Sequence, residues 1–156
     1  MPDETPFTAF RFEVKLTVDN PQRFRLTNPL CDAAFAECDG LEMTMEPRTL
    51  REGGNNTEQI HLPGPVSYGS LRLRRGMTSN LDLWKWFGAS AGALGRGVTA
   101  RGEVLMRDSE GTPRLRFTLR DCLPVRIRGA ALDAREGVLA LEEMQIAYRA
   151  FTVEPA

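Results

Sequence analysis

The residues best equipped for chemistry in this chain are few: one histidine, His61, three cysteines, and the close-set carboxylate pairs Glu42/Glu46 and Glu142/Glu143. A histidine acting as general base needs a nucleophile to deprotonate and an acid to orient it. His61 instead sits between Ile60 and Leu62, just before Pro63, with neither group beside it. Paired carboxylates hydrolyse glycosides only when they flank a cleft, and Glu42 and Glu46 fall on the polar side of an alternating segment. Cys31, Cys38 and Cys122 are odd in number, and C-x6-C beside a lone histidine is no zinc pattern. They read as small buried apolar residues. Gly53-Gly54 lacks the spacing of a phosphate-cradling loop. The residues therefore predict no catalytic group, no cofactor and no metal.

Arginine supplies all the positive charge apart from Lys15 and Lys85, yet acids balance it to a net charge of −1. Either the source genome favours arginine, or packed interfaces do, which arginine suits better than lysine. Nucleic acid binding has weak support, because few aromatics interleave with the basic residues for base stacking. With 156 residues, 42% hydrophobic and 26% charged, the chain fits one globular domain able to bury a core. No apolar stretch approaches the roughly 20 residues that span a bilayer, so stable membrane insertion is not expected. The start, Met1-Pro2-Asp3-Glu4-Thr5-Pro6, is the reverse of a signal peptide and predicts synthesis and folding in a cytoplasm.

The elements that would position these residues are mostly strands. Phe10, Phe12, Val14, Leu16 and Val18 alternate with Arg11, Glu13, Lys15 and Thr17, the period of a strand with one buried side. An irregular insert follows. After the turn signal Asp39-Gly40, Leu41, Met43 and Met45 alternate with Glu42, Thr44 and Glu46, predicting another strand with one polar face. Arg51-Glu52-Gly53-Gly54-Asn55-Asn56 has no apolar residue and reads as the tip of a projecting loop over about 49–60. A short strand through Ile60 and Leu62 ends at Pro63-Gly64-Pro65, and Ser70–Arg75 puts Leu71 and Leu73 inward with Arg72 and Arg74 outward.

The period then changes. Ser79 or Asn80 offers an N-cap, Asp82 sits in the first turn, and Leu83, Trp84 and Phe87 recur at helical spacing until Gly92, Gly95 and Gly97. This predicts one α-helix, about 80–92, whose apolar face, with Trp86 broadening it, covers a sheet. Strands resume at Val98–Met106, with Arg101 on the polar side, and a turn at Asp108–Pro113 leads into a segment bearing Arg114 and Arg116 on its polar side. A last strand spans about Val138–Phe151, before a C-terminal tail of about 150–156. The expected fold is mainly β: a single-domain antiparallel β-barrel or sandwich of six to seven strands with that one helix, since open edges of this length invite aggregation.

The order of motifs resembles one family across about 140 residues. It runs F-x-F-x-V at Phe10–Val14, F-x-x-C-D-G-L-E at Phe35–Glu42, R-E-G-G-N-N at Arg51–Asn56 and L-P-G at Leu62–Gly64. It continues with L-R-L-R-R-G-M-T at Leu71–Thr78, L-W-K-W-F at Leu83–Phe87, a D-x-x-G hairpin at Asp108–Gly111 and A-L-E-E-M at Ala140–Met144. The chain is similar to the phage tail tube proteins, which also form the inner tubes of extracellular contractile injection systems. The resemblance implies a fold like that of the haemolysin-coregulated protein (Hcp) of type VI secretion, and a structural rather than enzymatic role. It also implies six-membered rings stacked around a lumen that holds cargo effector or DNA, inside a sheath whose contraction drives the tube, with a baseplate or initiator at one end. Such a particle stays in the cytoplasm or is released.

On that resemblance, Arg51–Asn56 corresponds to the family's extended loop, reaching neighbouring subunits or rings. Glu42, Thr44, Glu46, Arg72, Arg74, Arg101, Arg114 and Arg116 become lumen or interface residues, and the sequence does not separate the two. The chain departs from many relatives in the longer Asn20–Ala34 insert and in the ending after Tyr148. Because injection systems often encode tube paralogues, a tube initiator at the baseplate is the alternative. A stand-alone ligand-binding or hydrolytic barrel is the third reading.

Overall fold

The computed structural model describes residues 6, 11–30, 35–54, 57–92 and 97–156. Phe10, Cys31, Gly95, Asn55 and Asn56, all used in the sequence expectations, lie outside these residues. Strand β1 (Arg11–Val18) carries the expected alternation: Val14, Leu16 and Val18 are buried while Arg11, Lys15 and Thr17 are exposed. Its partner is β8 (Ala100–Arg107), antiparallel in the register Val14↔Val104 and Leu16↔Gly102. The described part of the insert after β1, residues 20–30, is folded onto the core. A single 3-10 turn (Pro21–Phe24) leads to buried Leu26 and Leu30, the latter bonded to the Leu16 carbonyl. Asn28 accepts from Val18 N–H and donates to Val18 C=O, closing the insert like a clasp.

The main sheet has seven strands in the order β1-β8-β9-β10-β7-β2, with β11 also paired to β9. Here β2 is Glu37–Asp39, β7 Ser70–Gly76, β9 Pro113–Arg128, β10 Leu141–Ala147 and β11 Ala150–Pro155. The 16-residue β9 links two halves. It pairs with β11 up to Arg120 and with β8 up to Cys122; from Leu123 it pairs with β10. Beside this junction Asp121 takes a left-handed φ of 51°, and the register with β8 shifts there. A bulge of this kind bends a strand and sharpens its twist.

The chain is mainly β with one helix, and its seven principal strands match the expected number. The sheet does not close on itself: β1 and β2 stand at opposite ends of the strand order. Two further boundaries differ from the sequence expectation. Val138 and Leu139 lie in the irregular segment before β10, and Val138–Phe151 is divided by a Tyr148-Arg149 turn, so the supposed tail is the strand β11.

Helix α1 (Asp82–Ala91) covers the apolar side of the sheet. The N-cap position falls on Leu81, not on the expected Ser79 or Asn80, and makes no side-chain cap; Asn80 Oδ1 accepts from the Asp82 N–H in a turn just before the helix. The core joins Leu16, Leu30, Leu71, Leu73, Leu119, Met144 and Ile146 to Leu83 and Trp86 of the helix. Of the expected core face, Leu83 is buried and Phe87 half-buried against the core, but Trp84 sits at the margin. The fully buried ring is Trp86, whose Nε1 donates to the Val98 carbonyl at 2.8 Å. Leu83 and Trp86 are three residues apart, so together they set the face that meets the sheet; Trp84 is rotated to its edge.

Candidate assembly surfaces

Between β2 and β7 the chain leaves the body as one long hairpin arm. Strand β3 (Met43–Met45) pairs with β6 (Val66–Tyr68), and β4 (Arg48–Leu50) with β5 (Ile60–Leu62). Pro47 on one side faces Pro63-Gly64-Pro65 on the other, where proline removes ladder donors and divides the hairpin into two steps. Glu46 N–H still bonds Pro65 C=O across this break, and a Cβ on Gly64 would collide with the Glu46 carbonyl.

The arm's root is pinned. Gly40 has φ +96°, and a side chain there would strike the Ser70 carbonyl. Tyr148 Oη donates to Gly40 C=O at 2.8 Å and accepts from Glu42 N–H at 3.3 Å. Burial pushes that phenol's pKa up. Tyr68 of β6 packs edge-on to Tyr148 and Phe151, with ring centroids 5.9 and 5.7 Å apart.

The shaft beyond the root is bare. Met43, Met45, Leu50, Ile60, Leu62 and Val66 are all exposed, between 40% and 57%. Glu42, Thr44, Glu46, Arg51, Glu52, Gly53 and Gly54 are exposed as well. The alternation from Leu41 to Met45 thus marks a strand, but not one with a side buried in its own chain; Met43 and Met45 face away from the core. Exposed apolar side chains in such number make the shaft a candidate surface for contact with another molecule. His61 is exposed opposite Thr49 on the arm.

A second exposed apolar set lies in the segment between β9 and β10, where Leu132, Val138 and Leu139 are 88%, 73% and 74% exposed. It borders an open concavity of about 660 Å³ lined by residues from Ala130 to Leu141. The arm leaves beside Ser70, at one end of β7, whereas this segment enters β10 at Leu141, opposite Gly76 at the other end. The two apolar surfaces therefore stand at opposite ends of the same strands.

The sheet's other face is polar, and cross-strand rows order its charges. One row reads Arg128, Glu143, Arg74, Glu37; the next reads Arg126, Gln145, Arg72, Asp39. In the other half, Lys15, Glu103, Thr118 and Thr152 form a row beside Glu13, Leu105, Arg116 and Glu154. Arg74 holds both Glu143 (2.9 Å) and Glu37 (3.4 Å), Arg107 holds Glu13 (3.0 Å), and Arg116 holds Glu103 (3.4 Å). Hydrogen bonds from Arg74 and Arg107 keep the Glu143 and Glu13 carboxyls below their usual pKa. Arg114 binds Asp108 at 2.8 Å in the β8–β9 turn and lowers its pKa likewise. Arg72 and Arg101 are exposed on this face. The predicted lumen or interface residues thus divide: Glu42, Thr44 and Glu46 belong to the arm, while Arg72, Arg74, Arg101, Arg114 and Arg116 line the sheet.

Under this face, Arg75 and Glu142 form an ion pair that is almost wholly buried. Glu142 Oε2 also accepts from Trp84 Nε1 at 2.7 Å, and Arg75 Nη2 donates to the Asn80 carbonyl at 2.6 Å. The pair thereby ties the start of α1 to β7 and β10. Both residues hold inward positions in their strands' alternation, a signal the sequence carried. Burial raises the Cys38 and Cys122 thiols to about 11 and 12, so neither forms a thiolate readily at neutral pH. Among the described residues no group of three or more His, Cys, Asp or Glu side chains could hold a metal, and no helix is long and apolar enough to cross a membrane.

The architecture is thus an antiparallel sheet with one face under a helix, the other charged and bare, and a projecting hairpin. Residues 8–152 match the family of the T4-like virus tail tube protein gp19, and the chain belongs to that family. It is similar to a chain of the anti-feeding prophage baseplate, solved by six-fold symmetrised cryo-electron microscopy, at 28% identity over 97% of each chain (TM-score 0.82). A chain of the sheath–tube complex of the extracellular contractile injection system PVC in its extended state is 17% identical (TM-score 0.78; 99% of this chain and 95% of that one). The fold is also shared with Hcp1 of Flavobacterium johnsoniae, at 11% identity (TM-score 0.51; 92% and 95% covered). No match is found among curated protein sequences.

Proposed function

We propose that this chain is a non-enzymatic inner-tube subunit of a contractile injection system or phage tail, forming six-membered rings that stack around a lumen inside a sheath. The open sheet carries the reading. Leu30 and Asn28 of the insert cap β1 only at Leu16 and Val18; the rest of its outer side, and that of β2, has no strand partner among the described residues. A sheet with free edges is completed by a neighbour's strand. Six-fold symmetry in the baseplate structure that contains a similar chain supports the ring number. The polar face then lines the lumen, with cargo effector or DNA inside, and the helix side turns toward the sheath. The arm, with Arg51–Gly54 beyond β4, reaches along the axis to a neighbouring subunit or ring. The second apolar surface at the far end of β7 provides a place for contact with the next layer.

A second reading is a tube initiator at the baseplate. It is favoured by the higher identity to the baseplate chain, 28% against 17% for the sheath–tube chain. In a particle, this chain would then occupy a single layer rather than repeat along the tube.

The arm tests the assembly reading. The double variant Leu50→Asp/Ile60→Asp should melt as the parent does, because both side chains already face solvent, yet should fail to form stacked rings by electron microscopy. Normal stacks from a folded double variant would remove the arm from the assembly contacts.

A further inference from the structure

The charges on the polar face are not evenly spent. Glu13, Glu37, Glu103 and Glu143 each already sit on an arginine, Asp39 turns Oδ1 onto the Gly40 N–H, and Glu154 stands opposite Arg116 at the end of its row. Arg72, Arg101, Arg120, Arg126 and Arg128 are all exposed, and among the described residues none has a carboxylate within ion-pair distance. They form two groups. Arg101 faces Arg120 and Asp121 at the bulge of β9, where Asp121 is engaged by Arg149. Arg72 and Arg126 flank Gln145 in one row, with Arg128 in the next. The face is therefore electropositive although the whole chain carries a net charge of −1. Like charges held side by side on a rigid sheet repel one another until a counter-charge arrives.

We infer that this face is a docking surface for an acidic polypeptide, whose carboxylates pair with these five arginines. Arginine's planar fork binds carboxylates in two-point fashion. A polypeptide fits better than nucleic acid for one reason. No aromatic side chain of the described residues stands on this face to stack a base; Phe117 lies on the apolar side, against Phe151. The inference rests on the tube reading only for the direction in which the face points: in a tube it makes the cargo, or its leading segment, acidic.

The test is fluorescence anisotropy of the full chain with labelled poly-L-glutamate, with a single-stranded oligonucleotide as competitor, at low and physiological salt. The parent should bind poly-L-glutamate, more weakly as salt rises. R72Q/R126Q and R101Q/R120Q should each bind roughly tenfold or more weakly, and R23Q/R25Q, on the exposed insert after β1, should bind as the parent does. No binding at low salt would overturn the inference, as would equal loss in R23Q/R25Q. Tighter binding of the oligonucleotide would replace the polypeptide with nucleic acid and overturn it too. Electron microscopy of the same preparation, alone and after addition to tube fragments, separates the two claims: poly-L-glutamate binding with no rings in either case would sink the tube reading and leave the docking surface standing.

Discussion

Trp86→Ala is expected to destabilise the fold by about 3–5 kcal/mol, the range for removing a large core aromatic. The indole is fully buried between helix and sheet, and its Nε1 bonds the Val98 carbonyl. Truncation leaves a cavity under α1 and strands that carbonyl with Ser90 Oγ as its remaining side-chain donor. The same change at Trp84 should cost distinctly less, because that ring is partly exposed and only its N–H is committed inward. Urea unfolding of both variants measures the difference. Equal losses, or a Trp86→Ala loss under about 1 kcal/mol, would mean that the helix meets the sheet on another face.

Glu142→Gln should be of similar size, about 3–5 kcal/mol, for a different reason. The substitution keeps the shape but leaves the Arg75 guanidinium charged and buried without its counter-ion. Arg75 Nη1 already has no hydrogen-bond partner, so little remains to compensate it. Removing both charges is the informative control. Arg75→Leu/Glu142→Leu should recover most of the loss, since apolar replacement of a whole buried pair is often neutral or stabilising. A double variant as unstable as the single one would show that the pair acts through geometry, by holding the start of α1, rather than through charge balance.

What the sequence made legible was whatever the chain settles within itself. The alternation of β1, the turn at Asp108–Pro113 and the single helix all follow from local period and turn chemistry, and they fall within a few residues of the expected limits. The order of motifs led to the tail tube family because it encodes that sequence of elements. What local pattern left open is where each apolar face goes. Met43 and Met45 alternate as a core strand does, yet face solvent, because period two records a two-sided strand and not the identity of its cover. The matched breaks at Pro47 and Pro63-Gly64-Pro65 were the available sign of a stepped arm. Three aromatics within Trp84–Phe87 blurred the helix face by one position. The Tyr148-Arg149 turn carries no glycine or proline, so two strands read as one. The open sheet was the deepest gap: β1 and β2 look like closing strands when one chain is considered alone.

The central claim is that six copies complete this sheet around a lumen. Electron microscopy of the purified protein over a concentration series, alone and after addition to tube fragments of its own particle, tests it most directly. Ring-shaped averages with six-fold symmetry and an open centre, singly or in stacks, are the predicted result. Compact monomers at every concentration, with no six-fold layer added to the fragments, would contradict it.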